Sequence, residues 1–337
     1  RRDPAGKPGD SLVGSVVMRV RTVLGDVDAS SLGPTLVHEH LIIDNRLIAT
    51  EYPHLHLPSV DEAVAELAPC AAEGLGCMVD AMPAAGGRHP DRLAAISKRS
   101  GVAIVAMTGL HTPKYYVHHP WAIEAAPEDL EELFVADIEV GMDRYDYTGP
   151  LVDRTDIRAG VIKVATDRES VSARAQRLVV AAVGAARRTG APILTHTEGG
   201  LGAFQQLEEF TRLGFPLTRV VVSHTDKVQD TGFHQDLLQS GVMVEYDQAL
   251  RQPPGSDNWT AFLTAQMVES GYVDQLMFGT DGARRTLWTS LGGGPGLSWM
   301  RTGFIDALRD RSVSPADIAT MFEANPRRFL SLEVSTT

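Results

Sequence analysis

His38 and His40 stand one residue apart at the end of the apolar run Pro34-Thr35-Leu36-Val37-His38-Glu39-His40-Leu41-Ile42-Ile43. Side chains alternate faces along a strand, so two histidines at this spacing point the same way and can clamp one metal ion. Alone, the pair is a weak signal. Downstream, further β-like runs each end in a polar side chain: Gly160-Val161-Ile162-Lys163, Pro192-Ile193-Leu194-Thr195-His196, Val220-Val221-Val222-Ser223-His224 and Leu276-Met277-Phe278-Gly279-Thr280-Asp281. One such residue is usually a satisfied core group. A whole series of strand ends delivering His, His, Lys, His, His and Asp points instead to a metal site. His38, His40 and Asp281 suit one divalent ion, and His196 with His224 a second. Lys163 falls between the two groups. A protonated ammonium there would repel both ions, so Lys163 fits only if neutral or converted by carbon dioxide into a carbamate, with one oxygen for each ion. An ordinary lysine paired with a carboxylate is the plainer alternative.

The elements that must position these residues alternate from end to end. Strands are expected at 35–43, 76–81, 102–108, 159–165, 191–196, 219–224, 241–247 and 275–280. Helices are expected at 60–73, 90–100, 127–142, 170–189, 202–213, 232–240, 259–271 and 298–310. Pro127 opens one helix with acidic residues behind it, the favourable end for negative charge. Gly101, Gly160, Gly190 and Gly241 mark helix-to-strand junctions. Strands this apolar are covered on both faces and form a parallel sheet. Eight such units predict a (β/α)₈ TIM barrel with a dinuclear metal site at the C-terminal ends of the strands. An open doubly wound sheet would leave ligands from the first and last strands apart, whereas a closed barrel makes those strands neighbours.

The chain has 337 residues, 43% hydrophobic and 22% charged, with a formal net charge of −12. That length suits a single barrel domain over 18–337. Residues 1–17 are Gly/Pro/charge-rich, lack the apolar segment of a secretory signal, and are expected to be an extension ahead of Met18. The acidic balance argues against nucleic acid or an anionic membrane as the main partner, and no apolar stretch approaches a membrane span. Cys70 and Cys77 are too few for a disulfide framework and are expected as buried free thiols. The expected setting is the cytoplasm, and the expected partners are a small-molecule substrate and a second copy of the chain in a homodimer.

These motifs, with the entry Val20-Arg21-Thr22-Val23-Leu24-Gly25, the phrase Gly33-Pro34-Thr35-Leu36-Val37-His38-Glu39-His40 and the closing Asn325-Pro326-Arg327-Arg328-Phe329-Leu330, resemble the phosphotriesterase family of the amidohydrolase superfamily. The resemblance runs from about Val20 to Leu330. It implies that His38, His40 and Asp281 bind the more buried metal and His196 and His224 the more exposed one. Carboxylated Lys163 and a hydroxide would bridge the two, with zinc as the first choice of ion and manganese or cobalt as alternatives. Such a pair would acidify a bridging water and polarise the scissile group, with Asp281 as the catalytic proton carrier that the resemblance implies.

Within that resemblance the specificity loops differ from two branches. Paraoxon-hydrolysing members carry His after the Asp that corresponds to Asp247, where this chain has Gln248; their relay carboxylate after strand six is replaced by Lys227, next to Asp226. Acyl-homoserine lactonases carry Arg at the position of Gln248, and Tyr after the strand-three Thr-Gly pair, where this chain has Leu110-His111. The phosphorylated-sugar lactonases are more similar. Arg251 and Arg284 follow strands seven and eight, as that branch requires for phosphate, although an expected aromatic contact appears as Leu287. Thr108-Gly109-Leu110-His111-Thr112-Pro113-Lys114-Tyr115-Tyr116 and Gly292-Gly293-Gly294-Pro295-Gly296-Leu297 also resemble it, the second as a flexible loop over the barrel mouth. Lys114, Tyr115, Arg251 and Arg284 are therefore the candidate substrate contacts. The expected function is hydrolysis of a lactone or carboxylic ester with a phosphorylated or otherwise anionic tail. Organophosphate triesterase activity, a metal-bearing ligand-binding protein with weak hydrolysis, and a mononuclear deaminase are the alternatives.

Overall fold

Alternation along each strand decides which side chains fill the barrel and which meet the helices. Val37, Val79, Val105, Val161, Leu194, Val221, Met243 and Met277 pack together inside, while Leu36, Met78, Ile104, Ile162, Ile193, Val244 and Phe278 belong to the outer core beneath the helices. In this computed structural model residues 18–166 and 171–332 are described. The expected extension over 1–17 lies outside them, as do residue 170 of one expected helix and 333–337 of the expected domain.

The strands are β1 (Arg19–Thr22), β2 (Gly25–Asp28), β3 (Thr35–Glu39), β4 (Cys77–Asp80), β5 (Ala103–Gly109), β6 (Val161–Ala165), β7 (Ile193–His196), β8 (Val220–Val222), β9 (Met243–Tyr246), β10 (Leu276–Phe278) and β11 (Ser331–Leu332). β3 to β10 form an eight-stranded sheet in chain order, every pair parallel. Backbone N–H groups of Thr280 and Asp281 donate to the His38 carbonyl at 3.1 and 3.0 Å. This seam brings the end of β10 against β3, giving the expected (β/α)₈ TIM barrel. Gly279 sits at the seam, where a Cβ would fall 2.7 Å from that of His38, so only glycine permits the approach.

The connecting helices include Val60–Ala72, Pro90–Ser100, Pro127–Glu139, Ala173–Thr189, Ala203–Arg212, Thr231–Gln239 and Trp259–Glu269. Gly101 and Gly190 end two of them in the left-handed conformation. The helix expected over 298–310 is divided into a 3-10 segment, Leu297–Arg301, and an α-helix, Gly303–Arg309. Thr302 separates them with φ −116° and ψ −90°, outside helical geometry.

The entry run forms a hairpin, β1 and β2, joined on its other edge by β11. Val20, Leu32, Phe329 and Leu330 pack against the inner barrel layer. The two terminal motifs thus plug the barrel floor, opposite the C-terminal ends of the strands. Cys70 and Cys77 are free and buried. Among the described residues no helix is long and apolar enough to cross a membrane.

A buried ionic cluster shapes one wall of the mouth. Arg88, fully buried, reaches Asp137 at 2.7 Å and Asp146 at 3.0 Å, and donates to the Met107 carbonyl. Asp146 in turn accepts from the N–H groups of Ala85, Gly87 and Arg88. The loop carrying Met82, Pro83 and Gly86 is held from below. Breaking one partner of such a buried pair would leave a charge uncompensated.

Candidate metal centre and active site

Alternation places polar side chains directly above the apolar inner layer: Lys163 above Val161, His196 above Leu194, and Glu245 and Asp247 above Met243. The first strand departs from this rule. The ladder between β3 and β4 shifts register between Leu36 and Glu39, and β3 ends before His40. The irregularity, rather than plain alternation, lets both histidines reach the same point. His40 Nε2 lies 3.2 Å and His38 Nε2 3.9 Å from Asp281 Oδ1. Lys163 Nζ is 3.1 Å from His38 Nε2. Gly109 beside it has φ +93° and leaves no room for a Cβ, which would lie 2.0 Å from the Lys163 carbonyl oxygen.

On the opposite side, His224 Nε2 and His196 Nδ1 face one another at 2.8 Å. The remote nitrogen of each meets a carboxylate: His224 Nδ1 is 2.6 Å from Asp247 Oδ2, and His196 Nε2 is 3.4 Å from Glu198 Oε2. His38 follows the same rule, with Nδ1 2.6 Å from Glu245 Oε1. A proton held on the remote nitrogen leaves the inward one with a free lone pair, the form that binds metal. His224 and Asp281 also adopt left-handed backbone, with φ +64° and +45°. Non-glycine residues seldom do so, and such strain gathers at functional sites.

The electrostatics agree. Burial, aided by Lys163 and His224, holds His38 well below the usual imidazole range. Burial and His224 bring His196 down to about 3. Both rings are neutral and ligand-ready. Burial lowers Lys163 to about 8 although Asp281, Glu245 and Asp247 oppose the shift. Burial alone would raise Asp281, but the His40 hydrogen bond and the charges of His224 and Arg251 hold its carboxyl well below the ordinary range. His38, His40 and Asp281 form one group able to hold an ion. Imidazoles and one carboxylate converging on one point are a donor set that divalent transition metals take.

All six expected ligands, His38, His40, Lys163, His196, His224 and Asp281, line one cavity of about 450 Å³. The candidate substrate residues Lys114, Tyr115, Arg251 and Arg284 line it too. Their surroundings differ. Lys114 Nζ sits 5.1 Å from the Tyr115 ring centre, and Tyr115 packs between Tyr52 and His111. Arg251 donates to the carbonyls of Asp247, Thr280 and Asp281 and lies 3.2 Å from Asp281 Oδ2. Lys227 and Arg284 border the same cavity. Sequence reasoning did not single out Glu245, His111, Glu198 or Tyr52. Glu245 was findable, since Glu-Tyr-Asp at the end of an apolar strand sets two carboxylates on one face. The Gly292–Leu297 stretch does not line the cavity. The N–H of Leu297 at its end, with the N–H of Ser290 and the hydroxyl of Thr289 just before it, donate to buried Glu66, which pins the loop to the helix Val60–Ala72.

A closed parallel barrel with histidines, a lysine and an aspartate gathered at its C-terminal mouth defines the metal-dependent barrel hydrolases. This chain belongs to the phosphotriesterase family, whose sequence model matches residues 18–330. It is 31% identical over 329 residues to a phosphotriesterase homology protein of Mycobacterium tuberculosis, covering 92% of this chain and 96% of that one. Identity to a phospho-furanose lactonase of Mycoplasmopsis agalactiae is 28%, covering 93% and 92%. An amidohydrolase structure from Mycoplasma synoviae superimposes with a TM-score of 0.87 at 26% identity, covering 94% and 93%. The chain is a hydrolase of the phosphotriesterase and lactonase type.

Proposed function

We propose that this protein is a dinuclear-metal hydrolase that opens a lactone or carboxylic ester carrying an anionic tail. One observation carries the reading: ligands from both ends of the barrel order converge around a fully buried lysine. His38 and His40 with Asp281 would hold one divalent ion, and His196 with His224 the other. Zinc is the first choice, manganese and cobalt the alternatives. Lys163 would join them as a carbamate. Its free amine adds carbon dioxide, forming an N–C bond and releasing one proton, and a pKa brought down to about 8 makes that free amine accessible near neutral pH.

The ions, when bound, supply an acidified water and a Lewis-acidic contact to the scissile carbonyl. Asp281 takes the proton of the attacking oxygen and passes it to the leaving oxygen. A weak base suffices, because bond formation to the carbonyl makes that proton strongly acidic. Arg251, bonded to the Asp281 backbone and carboxylate, holds this proton carrier in place. The substrate tail meets Lys114, Lys227 and Arg284, with Tyr115 and Tyr52 as its flat walls. Neither Lys227 nor Arg284 has a side-chain hydrogen bond or ion pair among the described residues, so their charges are available to an anion.

Elemental analysis and a substrate panel test this together. About two divalent ions per chain are expected, with a phosphorylated sugar lactone hydrolysed faster than a neutral lactone, an aryl ester or an organophosphate triester. A single bound ion with unmodified Lys163 would remove the dinuclear reading. Turnover confined to the triester would remove the lactone.

A further inference from the structure

Glu245 is a buried ionisable group that the proposed chemistry leaves unused. It lies on β9, two residues before Asp247, on the face that looks into the barrel above Met243. Its side chain is fully buried, and its Oε1 lies 2.6 Å from Nδ1 of His38, 207 residues away in sequence. The other carboxylate near that nitrogen, Asp247, is 3.8 Å away. Glu245 is therefore the acceptor that fixes the Nδ1 proton of His38, leaving Nε2 as a lone pair directed toward Lys163 and Asp281.

A purely structural purpose explains this residue poorly. Its second oxygen, Oε2, is buried with no hydrogen-bond partner among the described residues. A buried carboxylate satisfied on one side only costs stability, and an apolar residue of the same length would pack the barrel at least as well. What it supplies is orientation. A metal-ligating histidine gains a fixed ring angle and a more basic inward nitrogen when its other nitrogen donates to a carboxylate.

We infer that Glu245 is a positioning residue for the metal centre, locking His38 in the rotamer and tautomer that present Nε2 to the ion shared with His40 and Asp281. The inference rests on the metal reading above and adds a determinant from the barrel interior. It is specific to one ion, because His196 and His224 take their outer contacts from Glu198 and Asp247.

Two variants test it: Glu245→Gln, which keeps the shape and loses the charge, and Glu245→Met, which also loses the acceptor. Zinc affinity, measured by chelator competition, should fall by about 10–100-fold in Glu245→Gln and further in Glu245→Met. The loss should be confined to one ion. In the cadmium-loaded protein, the NMR resonance that His40→Ala removes should move or broaden in both Glu245 variants, while the other stays. Metal-free Glu245→Met should melt no lower than metal-free wild type, the opposite of what a stabilising contact predicts. Zinc affinity in Glu245→Met within about twofold of wild type, against that expected loss, would overturn the proposal. So would equal loss at both ions, or metal-free melting that falls in step with affinity. Should Glu245→Met not fold, the Glu245→Gln titration decides alone. The ion count of the wild type tests the dinuclear reading separately, so the two can fail independently.

Discussion

Replacing Arg251 and Arg284 separately should divide two jobs that their shared cavity conceals. Arg251 directs its guanidinium at the carbonyls of Asp247, Thr280 and Asp281 and at Asp281 Oδ2, 3.2 Å away. Its side chain is 17% exposed and that of Asp281 22%, so the pair is mostly withdrawn from solvent. Arg251→Met would free Asp281 to swing from the position in which His40 and the metal centre meet it. A hydrogen bond to a charged group contributes about 1.5–3 kcal/mol. At about 1.4 kcal/mol per factor of ten, kcat/KM should drop roughly 10–150-fold. The drop should be the same for an anionic lactone and its neutral analogue, because the contact is to the enzyme. Arg284→Met should cost about as much with the anionic substrate and nearly nothing with the neutral one. Steady-state kinetics on two substrates with wild type and both variants gives the answer. Selective loss on the anionic substrate in Arg251→Met would refute the bracing role and return Arg251 to the substrate's tail.

Lys163→Ala should strip metal and activity, and propionate or bicarbonate should restore part of both, since a small carboxylate can occupy the place of the carbamate; unchanged metal content would exclude a bridging lysine. Asp281→Asn keeps the shape and loses the proton acceptor, so turnover should fall by about 10²–10⁴-fold; near-normal turnover with both ions bound would dismiss it as the proton carrier. Acid should weaken the metal-free protein through its buried imidazoles. His38, His111 and His196 are held below the ordinary value, His196 at about 3. The unfolded chain therefore binds more protons between that value and about 6.5, so stability is full above 6.5 and falls as pH drops, by up to about 1.4 kcal/mol per pH unit for each ring. Urea midpoints at pH values on either side of that limit check it; equal midpoints would mean the rings are not buried neutral.

Much of this was already written in local pattern. Apolar runs of strand length alternating with helical segments dictate a parallel sheet covered on both faces, and eight of them dictate closure. Side-chain type at the strand ends then marks the candidate ligands, because alternation carries Lys163 and His196 from the apolar interior to the rim without further information. The same local logic foresaw Pro127 opening a helix and Gly101 and Gly190 closing two. It failed where the outcome depends on contacts between segments far apart. His38 and His40 meet through a register shift against β4, and His224 and Asp281 need left-handed backbone that their neighbours impose. The hairpin β1–β2 turns locally between Thr22 and Gly25, but the strand on its other edge, β11, comes from the far end of the chain. Arg251 reads as a contact for the substrate's anionic tail until the carbonyls of Thr280 and Asp281 are in place to receive it. Glu245 could be read as a carboxylate on the same face as Asp247, but nothing near it in the chain reveals its partner His38. Residue type and period are properties of a few consecutive positions, whereas a hydrogen-bond partner is chosen only once the barrel has closed.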